Sequence, residues 1–438
     1  MNLSSVEIGY LTIALVFILM YLKMPIGVTM LVAGFLGFFF IRGMPAALSS
    51  LGIITWRQGL KEILIIIPLF TLMGLLAARG GISRDAFSTL YKWVGHFPGG
   101  LAMACTGACA AFGAVCGNQV ATSLTMSSVA LPEMRKYNYS DEFSLGCIAA
   151  SGNLGIMIPP SGAFVIYGFL TETSIGSLFI AGILPGLLIM LMFWIQMYIQ
   201  CRLNPHIGPA GPHVGLIARL KSIRGVWAIV LVFFMVMGGI YAGVFTPNEG
   251  AACGVFAVFL IGLAKRELSW KLFTSAIRET IMISAMIMLI LVGAMFFGSF
   301  VTVSQIPNNL ADLVTTLAVN RYIVIGIILI VYIICGFVLD IYAVLVITLP
   351  ILFPIVVAVG FDSLHFGVMC VLTIMLGGIT PPFGVQVFAL SGMHKDVPTF
   401  TIFRGTLPFV ITMIIGLVII LFLPTISTLL PNFMIPYR

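Results

Sequence analysis

Long apolar runs separated by short polar segments cover most of the chain. A helix of about 20 apolar residues crosses the hydrocarbon core of a bilayer, which is about 30 Å thick. The pattern therefore predicts an all-α polytopic membrane protein with about ten spans. The runs lie at about 7–22, 26–41, 62–78, 100–131, 143–171, 177–200, 226–245, 250–264, 281–303, 322–357, 364–393 and 405–428.

Four of these regions are interrupted by Gly or Pro and do not suit a single straight span. Two are long double segments, at about 98–132 and 321–357, and two are broken segments, at about 143–172 and 364–393. The two kinds of segment cannot both be plain spans. Either the double segments or the broken segments must therefore re-enter the membrane.

The polar segments between the runs are of two kinds. Residues 80–97 and 265–280 mix charged and apolar side chains, which is typical of amphipathic helices at a membrane surface. Residues 202–224 are rich in Pro, Gly and His and form the clearest polar linker. Because this linker lies near the middle of the chain, it suggests an internal repeat.

A shift of 222 residues brings the helix-breaking residues of the two halves into register. Gly and Pro record where helices start and break, so they trace architecture better than apolar residues do. The first repeat is predicted at 1–201, the linker at 202–224 and the second repeat at 225–438. The matches are Pro25 with Pro247, Asn118 with Asp340, Pro132 with Pro354, Gly155 with Gly377, Pro159 and Pro160 with Pro381 and Pro382, and Gly162 with Gly384.

The distribution of Lys and Arg decides which segments re-enter. If the double segments are hairpins and the broken segments cross once, 16 basic residues face one side and five face the other. The opposite assignment gives 14 and seven. Cytoplasmic loops are enriched in Lys and Arg, so the first assignment is preferred. Each repeat then crosses five times, which inverts the second repeat and places both termini outside the cytoplasm.

Composition excludes several classes of protein. Hydrophobic residues make up 61% of the 438 residues and charged residues only 8%, whereas a soluble domain carries about 25% charged residues. The net charge of +7 is explained by loops on the inner side of a membrane, so no nucleic-acid partner is expected. The eight Cys form no CxxC motif and the five His no HxxxH pair, so no transition-metal site is predicted.

Candidate chemistry lies where helices break at membrane depth. Non-helical backbone is costly in hydrocarbon unless it is buried in protein or lines a wet cavity. The Pro pairs 159–160 and 381–382 free upstream carbonyl groups, which suit a hard alkali cation. Helix N-termini at the same places favour an anion. The breaks therefore predict a cation site next to an anion site.

Two acidic residues need separate interpretations. A carboxylate such as Asp340 is costly at the centre of a span. Its role is therefore to coordinate a cation or line a cavity, or else only to cap the second helix of its hairpin. Its repeat mate Asn118 offers a side-chain oxygen at the same place. Glu249 follows Thr246 and Pro247 in the pattern of a capping box, which favours a structural role.

Several motifs together resemble the large membrane subunit of tripartite ATP-independent periplasmic (TRAP) transporters. They match that family in order and spacing over nearly the whole chain. The motifs are 155–161 (GIMIPPS), 165–168 (VIYG), 174–176 (SIG), 181–186 (AGILPG), 245–252 (FTPNEGAA) and 337–340 (FVLD).

The resemblance implies an elevator-type transporter with two inverted repeats, each containing a re-entrant hairpin and a broken helix. It implies sodium-coupled import of a small organic acid anion, such as a C4-dicarboxylate, sugar acid, keto acid or sulfonate, across the bacterial inner membrane. The expected partners are a small four-span membrane subunit (Q type), a periplasmic substrate-binding protein (P type) and the lipid bilayer.

The resemblance also implies two Na⁺ sites, one at each hairpin tip and its neighbouring break. The family has small hydroxyl residues around the first tip, where this chain has Cys116, Asn118 and Gln119; amide oxygens would replace hydroxyl ligands there. Candidate sodium ligands are Gly117, Asn118, Gly152, Gly155, Pro159, Asp340, Gly378, Thr380 and Pro381. Candidate substrate ligands are Asn118, Asn153, Ser161, Asp340 and Gln386.

Two other classes of function remain as alternatives, a membrane-embedded enzyme and an ion channel. The chain contains no P-loop, no HExxH motif and no evident pair of catalytic carboxylates, which argues against an enzyme. Inverted repeats with closed tips favour alternating access over a channel. We therefore expect a transporter subunit rather than an enzyme.

Overall fold

The computed structural model describes residues 4–316 and 319–433, and its regular elements are helices. In the first half these are α1 Ser5–Tyr21, α2 Ile26–Arg42, α3 Met44–Gly59, α4 Ile66–Arg79, α5 Ile82–Val94, α6 Gly100–Cys116, α7 Gln119–Lys136, α8 Asp141–Gly152, α9 Leu154–Met157, α10 Gly162–Thr171 and α11 Ile175–Leu203, with a 3₁₀ turn at Glu62–Ile65 before α4.

The second half repeats this order after a short helix in the linker. Its helices are α12 Leu216–Ser222, α13 Trp227–Phe233, α14 Gly239–Tyr241, α15 Pro247–Ala264, α16 Trp270–Val303, α17 Ile306–Thr316, α18 Arg321–Val338, α19 Ile341–Ala358, α20 Ser363–Gly377, α21 Val385–Met393, α22 Thr399–Phe422 and α23 Thr425–Asn432. A 3₁₀ turn, Ile223–Gly225, follows α12, and a π turn, Phe234–Gly238, joins α13 to α14.

Helix lengths and composition agree with a polytopic membrane protein. Within the described residues, seven helices are long and apolar enough to cross a membrane, or up to nine when each of two bent pairs counts as one span. One bent pair is the broken segment 141–171, which turns by 45° between α9 and α10. The 17-residue helices α1 and α2 are apolar but shorter. The predicted all-α membrane fold is confirmed.

The repeat predicted from Gly and Pro is visible in the helix boundaries. Adding 222 to the bounds of α7 gives the bounds of α19, and adding 222 to the ends of α6 places it within one residue of α18. The predicted double segments are thus the helix pairs α6–α7 and α18–α19, and the predicted broken segments are α8–α10 and α20–α21. The architecture of two repeats is confirmed.

The two double segments are hairpins that open toward opposite faces. In the first, the Tyr139 hydroxyl after α7 accepts a hydrogen bond from Leu101 N at the start of α6, at 3.3 Å. In the second, Tyr322 at the start of α18 stacks edge-on against Phe361 just after α19. The Tyr167 hydroxyl near the end of α10 donates to Ser363 O at the start of α20, at 2.6 Å. Because α8–α10 runs from the open end of the first hairpin to that of the second, the hairpins enter from opposite faces.

One prediction about the connecting helices was wrong. Residues 265–280 do not form a separate surface helix, because α16 runs without a break from Trp270 to Val303. Its polar first turns are held by protein contacts, since the Arg79 guanidinium bonds both Leu272 O, at 2.9 Å, and the Glu279 carboxylate, at 2.5 Å. The other predicted surface segment, 80–97, does contain a separate amphipathic helix, α5.

Two bodies of helices can be distinguished by their closest contacts. In the first, which we call the scaffold, α2 crosses α16 so closely that a β-carbon on Gly27 would lie 2.6 Å from Leu289 O. In the second, the transport body, α8 meets α22 where a β-carbon on Gly146 would lie 2.3 Å from the Gly405 carbonyl carbon. Small residues let membrane helices approach in this way. The scaffold contains α1, α2, α4, α15 and α16, and the transport body contains the two hairpins, both broken segments, α11 and α22.

Three ion-paired basic residues come from loops that the charge distribution predicts on the same side of the membrane. Arg135 at the end of α7 bonds Asp141, at 2.7 Å, and Asp396 after α21, at 2.5 Å. Lys265 pairs with Asp85, and Arg404 lies 3.5 Å from Glu142. All three basic residues, Arg135, Lys265 and Arg404, belong to the 16 predicted on the cytoplasmic side. Their contacts agree with placing them together, and the identity of that side stays a prediction.

Candidate functional site

The tips of the two hairpins are built alike. Asn118 caps α7 by accepting a hydrogen bond from Ala121 N on its Oδ1 atom, at 3.0 Å. Asp340 caps α19 in the same manner, accepting from Ala343 N at 2.7 Å. Each cap satisfies an N–H group that a helix end leaves unpaired. Capping is therefore part of the role of both residues, and one carboxylate oxygen of Asp340 remains outside that bond.

The first break is enclosed by the first hairpin. Residues 151–161 are all buried. A β-carbon on Gly152 would overlap the Ser123 hydroxyl, one on Gly155 would lie 2.4 Å from Thr122 Oγ1, and one on Gly117 would lie 2.7 Å from Pro160 O. These three glycines therefore let α7 and the hairpin tip lie directly on the break. The predicted sodium ligands of the first site, Gly117, Asn118, Gly152, Gly155 and Pro159, come from these two adjoining segments.

The second break is more open than the first. Thr380 and Pro381 are half-buried and Phe383 is 53% exposed. The Thr380 hydroxyl donates to Leu376 O at 2.6 Å, and Ile379 O accepts from the Thr406 hydroxyl at 2.9 Å. Thr380 is thus engaged with its own helix. Each break contains a cis peptide bond, at Pro159–Pro160 and Pro381–Pro382.

Two buried amides join the breaks of the two repeats. The Gln386 side chain donates from Nε2 to Asn153 Oδ1, at 2.7 Å. Asn153 in turn donates from Nδ2 to Met375 O, at 3.2 Å. Gln386 Oε1 is buried without a partner, as are Gln119 Oε1 and Ser123 Oγ on the first hairpin. Asn153 and Gln386, both predicted substrate ligands, therefore bind each other, and neither lines the cavity described next.

A cavity of about 240 Å³ separates the transport body from the scaffold. One wall is the first hairpin tip with the start of α10 and Tyr342 of α19, and the opposite wall belongs to α4 and α16. Most lining side chains are apolar, which is usual for a solute site with a few polar groups. The polar residues on its walls are Thr71, Asn118, Glu279 and Tyr342.

Among the predicted site residues, Gly117 and Asn118 line this cavity. Ser161 is fully buried next to it, where its hydroxyl caps α10 by accepting from Phe164 N at 3.4 Å. Asp340 and the second break do not line the cavity. Glu279 and Tyr342 line it but were missed, although Tyr342 lies two residues after Asp340 and could have been suspected from that spacing.

The negative charge of Glu279 on the cavity wall is neutralised by Arg79 of the scaffold. Glu279 Oε2 lies 2.5 Å from Nη2 of Arg79, which ends α4. The Arg79 side chain is mostly buried, and it makes a second bond to the main chain of α16. The ion pair therefore braces α4 against α16 and keeps an uncompensated negative charge away from the cavity.

No group of three or more His, Cys, Asp or Glu side chains suited to a metal occurs in the described ranges. The predicted sodium sites do not depend on such a group, because Na⁺ prefers carbonyl, hydroxyl and amide oxygens. Both tips and both breaks offer these atoms. Whether they hold sodium stays a prediction.

The sequence is similar to a known family of proteins. Residues 13–426 match the family model described as "Tripartite ATP-independent periplasmic transporter, DctM component". The C4-dicarboxylate TRAP transporter large permease DctM of Pseudomonas aeruginosa is 34% identical, over 89% of this chain and 91% of that protein. The sialic acid large permease SiaM of Vibrio cholerae is 32% identical, over 85% of this chain and 87% of that protein.

A third relative is longer than this chain. The isethionate TRAP transporter permease DctMQ of Oleidesulfovibrio alaskensis is 33% identical over 82% of this chain, which covers 56% of that protein.

Solved structures show the same fold at low identity. MtrF of Neisseria gonorrhoeae, described in a study of antimetabolite efflux pumps, aligns with a TM-score of 0.62 and 15% identity, over 88% of this chain and 85% of MtrF. The YdaH transporter of Alcanivorax borkumensis aligns with a TM-score of 0.60 and 12% identity, over 90% of this chain and 88% of YdaH. These likenesses support the fold alone.

Proposed function

The chain belongs to the DctM component family of TRAP transporters, and we propose that it imports a small organic acid anion in symport with sodium. It is a multi-pass permease subunit of a bacterial membrane, not an enzyme. Three of the relatives are named for C4-dicarboxylate, sialic acid and isethionate, which are organic acids, and two others are named for ectoine. The anion and the sodium coupling are the proposed part.

The observation that carries this proposal is the cavity between the transport body and the scaffold. Its inner wall includes the first hairpin tip and the N-terminal end of α10, where Gly162 lines the cavity. Main-chain N–H groups at a helix start favour an anionic group. A volume of about 240 Å³ is small for a ligand pocket, which favours a compact acid such as a C4-dicarboxylate over a sialic acid.

Sodium would bind beside the anion and make the site available to it. We assign one Na⁺ to Asn118 with the carbonyl groups of the first break, and the other to Asp340 with Thr380 and the second break. In the first, a cation under the hairpin tip would hold the tip against residues 152–160. A tip held in this way fixes the cavity wall that faces the solute. The anion would then bind well only after sodium, which is the basis of coupling.

Transport would follow from movement of the transport body against the scaffold. The cavity lies on the boundary between them, so a displacement of one body carries the solute past the fixed α4 and α16 walls. Most side chains on those walls are apolar, including Ile67, Phe70 and Ile283. The polar Thr71 and Glu279 are already bonded within the scaffold, to Ile67 O and to Arg79, so the walls would not retain the solute strongly. Such an elevator exposes one site alternately to the two sides.

We propose two protein partners for this permease. The relative named DctMQ extends well beyond the length that this chain covers, which supports a separate Q-type membrane subunit here. The family name implies a periplasmic binding protein that delivers the solute. The longest polar linker, 202–224, is too short to form a solute-binding domain of its own.

Reconstitution tests the proposal directly. The chain, co-purified with its small membrane subunit, would be placed in liposomes and given the binding protein loaded with a radiolabelled C4-dicarboxylate. Uptake should require an inward sodium gradient and should stop when potassium replaces sodium. Omitting the binding protein or the small subunit should abolish uptake.

Three results would overturn parts of the proposal. Uptake driven equally well by potassium would exclude sodium coupling. Robust uptake by this chain without partners would exclude the tripartite assignment. Uptake of a sugar acid or sulfonate in place of the dicarboxylate would leave the mechanism intact and replace only the solute.

A further inference from the structure

The linker between the repeats carries an unusual surface. Its helix α12 and the turn that follows expose Leu216, Ile217, Leu220 and Ile223 on one side, with Ile217 73% exposed. The chain then bends by 50° into the membrane helix that begins at Trp227. A short helix with one apolar side, placed where the chain enters the membrane, is typical of a segment that lies in the bilayer interface.

The opposite side of α12 is fixed to helix α5. The Thr89 hydroxyl donates to Ser222 O at 2.8 Å, and Trp93 Nε1 donates to Arg219 O at 3.2 Å. Gly225 packs so close to Thr89 that a β-carbon there would lie 2.7 Å from the Thr89 hydroxyl. These bonds hold α12 in one orientation. The apolar residues must therefore point away from the protein.

Arg219 of α12 meets two imidazole rings near the loop after α5, and we call this group the basic cluster. Arg219 Nη2 is 3.3 Å from His96 Nδ1, and the rings of His96 and His213 are 4.9 Å apart. Arg219 Nε is buried without a partner, and Arg219 forms no ion pair within residues 4–316 and 319–433. The acid on the adjoining helix, Asp85, is already paired with Lys265.

The charge around this basic cluster is therefore mainly positive. Burial and the nearby positive charge of Arg219 lower the pKa of His96, so its neighbours disfavour a further positive charge. Lys221 and Arg224 are exposed on either side of Ser222 and add to the positive potential. Arg219, Lys221 and Arg224 thus give this segment three cationic groups, and the acid on the adjoining helix is already paired, so the basic cluster is complementary to a bound anion.

We propose that this basic cluster binds the phosphate headgroup of an anionic phospholipid from the cytoplasmic leaflet. The guanidinium group matches a phosphate in shape and charge. The apolar side of α12 would contact the acyl chains of the same leaflet. The basic cluster and the exposed apolar side chains lie on the same short segment. This combination favours a lipid over free phosphate, because free phosphate would use only the basic cluster. The site is independent of the transported solute.

The bound lipid would act on the moving part of the protein through the linker. Gly208 O accepts from Gly99 N, at 2.9 Å, and Ile207 O accepts from Ser140 N, at 3.2 Å. Both donors lie at the open end of the first hairpin. A lipid that fixes α12 in the interface would thus steady the loop on which this hairpin rests.

Lipid binding by the whole purified chain is the test. After delipidation in detergent, the chain would be titrated with dioleoyl-phosphatidylglycerol, and the first bound lipid would be quantified by native mass spectrometry. Melting temperature would be followed in parallel. Phosphatidylglycerol should bind and raise the melting temperature, whereas phosphatidylcholine and inorganic phosphate should do neither. An equal effect of inorganic phosphate would show a free-anion site and overturn the lipid proposal.

Charge-matched variants locate the site. Arg219→Gln with Arg224→Gln should weaken phosphatidylglycerol binding by about tenfold, since each basic group near an anionic headgroup contributes a severalfold gain. The control, Lys271→Gln with Arg278→Gln, removes the same charge from exposed positions on α16 and should bind as the unaltered chain does. Equal losses in both variants would show non-specific attraction and overturn the proposal.

Two further measurements keep the test decisive. If the double variant does not fold, Arg224→Gln alone, at an exposed position, should weaken binding by about threefold; unchanged affinity would count against the site. The complex with the small membrane subunit should still retain the lipid. Loss of the lipid on complex formation would show that the subunit covers this surface instead.

Discussion

The side chain of Gln386 in the second repeat donates a 2.7 Å hydrogen bond to the side chain of Asn153 in the first. Asn153 also bonds the main-chain oxygen of Met375, the residue that lies 222 positions further along the chain. The buried amide of Asn153 thus connects the first break to both helices of the second broken segment, to α20 through Met375 and to α21 through Gln386. This contact joins the two repeats at the centre of the transport body.

We expect either Asn153→Ala or Gln386→Ala to destabilise the protein by about 1–3 kcal/mol, because each leaves a buried amide group unpaired. The melting temperature of the purified chain measures this. The double variant should lose less than the sum of the two single losses, since the bond can be broken only once. Strict additivity would show that the pair is not coupled.

Substitutions at Asp340 separate capping from sodium binding. Asp340→Asn keeps a side-chain oxygen that can cap α19 but removes the charge. It should raise the sodium concentration for half-maximal uptake by on the order of tenfold, with little loss of folded protein. Asp340→Ala should raise that concentration and also lower the yield. If Asp340→Asn behaves as the unaltered chain, then Asp340 is only a cap.

Glu249 provides the matched control for Asp340. Its carboxylate accepts from Thr246 N at 2.8 Å, and Thr246 Oγ1 accepts from Glu249 N at 3.3 Å. This is the capping box predicted from the sequence. Glu249→Ala should cost about 1 kcal/mol of stability and reduce the amount of folded protein. The sodium dependence of uptake by the remaining protein should not change.

Cysteine labelling tests the predicted topology. The loop after α7 is expected in the cytoplasm, so Lys136→Cys, at an exposed position, should react with an impermeant maleimide only when the inner side is accessible. Leu60→Cys, also exposed, should react from the outside. Background should be low, because the eight native Cys are buried or half-buried. Reaction of Lys136→Cys in intact cells would contradict the predicted orientation of the first hairpin in the membrane.

The pair formed by Arg135 and Asp396 predicts a pH effect on stability. The hydrogen bond from Arg135 holds the pKa of the Asp396 carboxyl below its ordinary value. A lowered pKa means that the folded state favours the charged form, so this contribution is present above the ordinary pKa and is lost as the pH falls through the lowered value.

The variant Arg135→Gln tests this direction of the pH effect on stability. Between neutral pH and about pH 3, the melting temperature of the unaltered chain should fall by more than that of Arg135→Gln, because the variant has no such bond to lose. The control Lys136→Gln alters the neighbouring, more exposed side chain and should follow the unaltered chain. Parallel pH profiles for all three proteins would exclude a contribution from the pair.

Sequence alone was sufficient for features that depend on neighbouring residues. The Gly and Pro pattern predicted where the helices are interrupted, because these residues restrict the backbone wherever they stand. The distribution of Lys and Arg then predicted which interrupted segments are hairpins. The capping box at Thr246 and Glu249 was predicted for the same reason, since its bonds span three residues. The family motifs around Pro159 and Pro160 were readable because they are contiguous.

Features that depend on distant contacts were decided by the tertiary structure. Residues 265–280 looked like a separate surface helix because their charges interrupt the apolar pattern, yet Arg79 stabilises them as the start of α16. Asn153 and Gln386 were both expected to face the solute, and only folding showed that they bind each other. Glu279 and Tyr342 reach the cavity from different helices. The spacing of residues along the chain does not predict these long-range contacts, because they form only when the helices pack together.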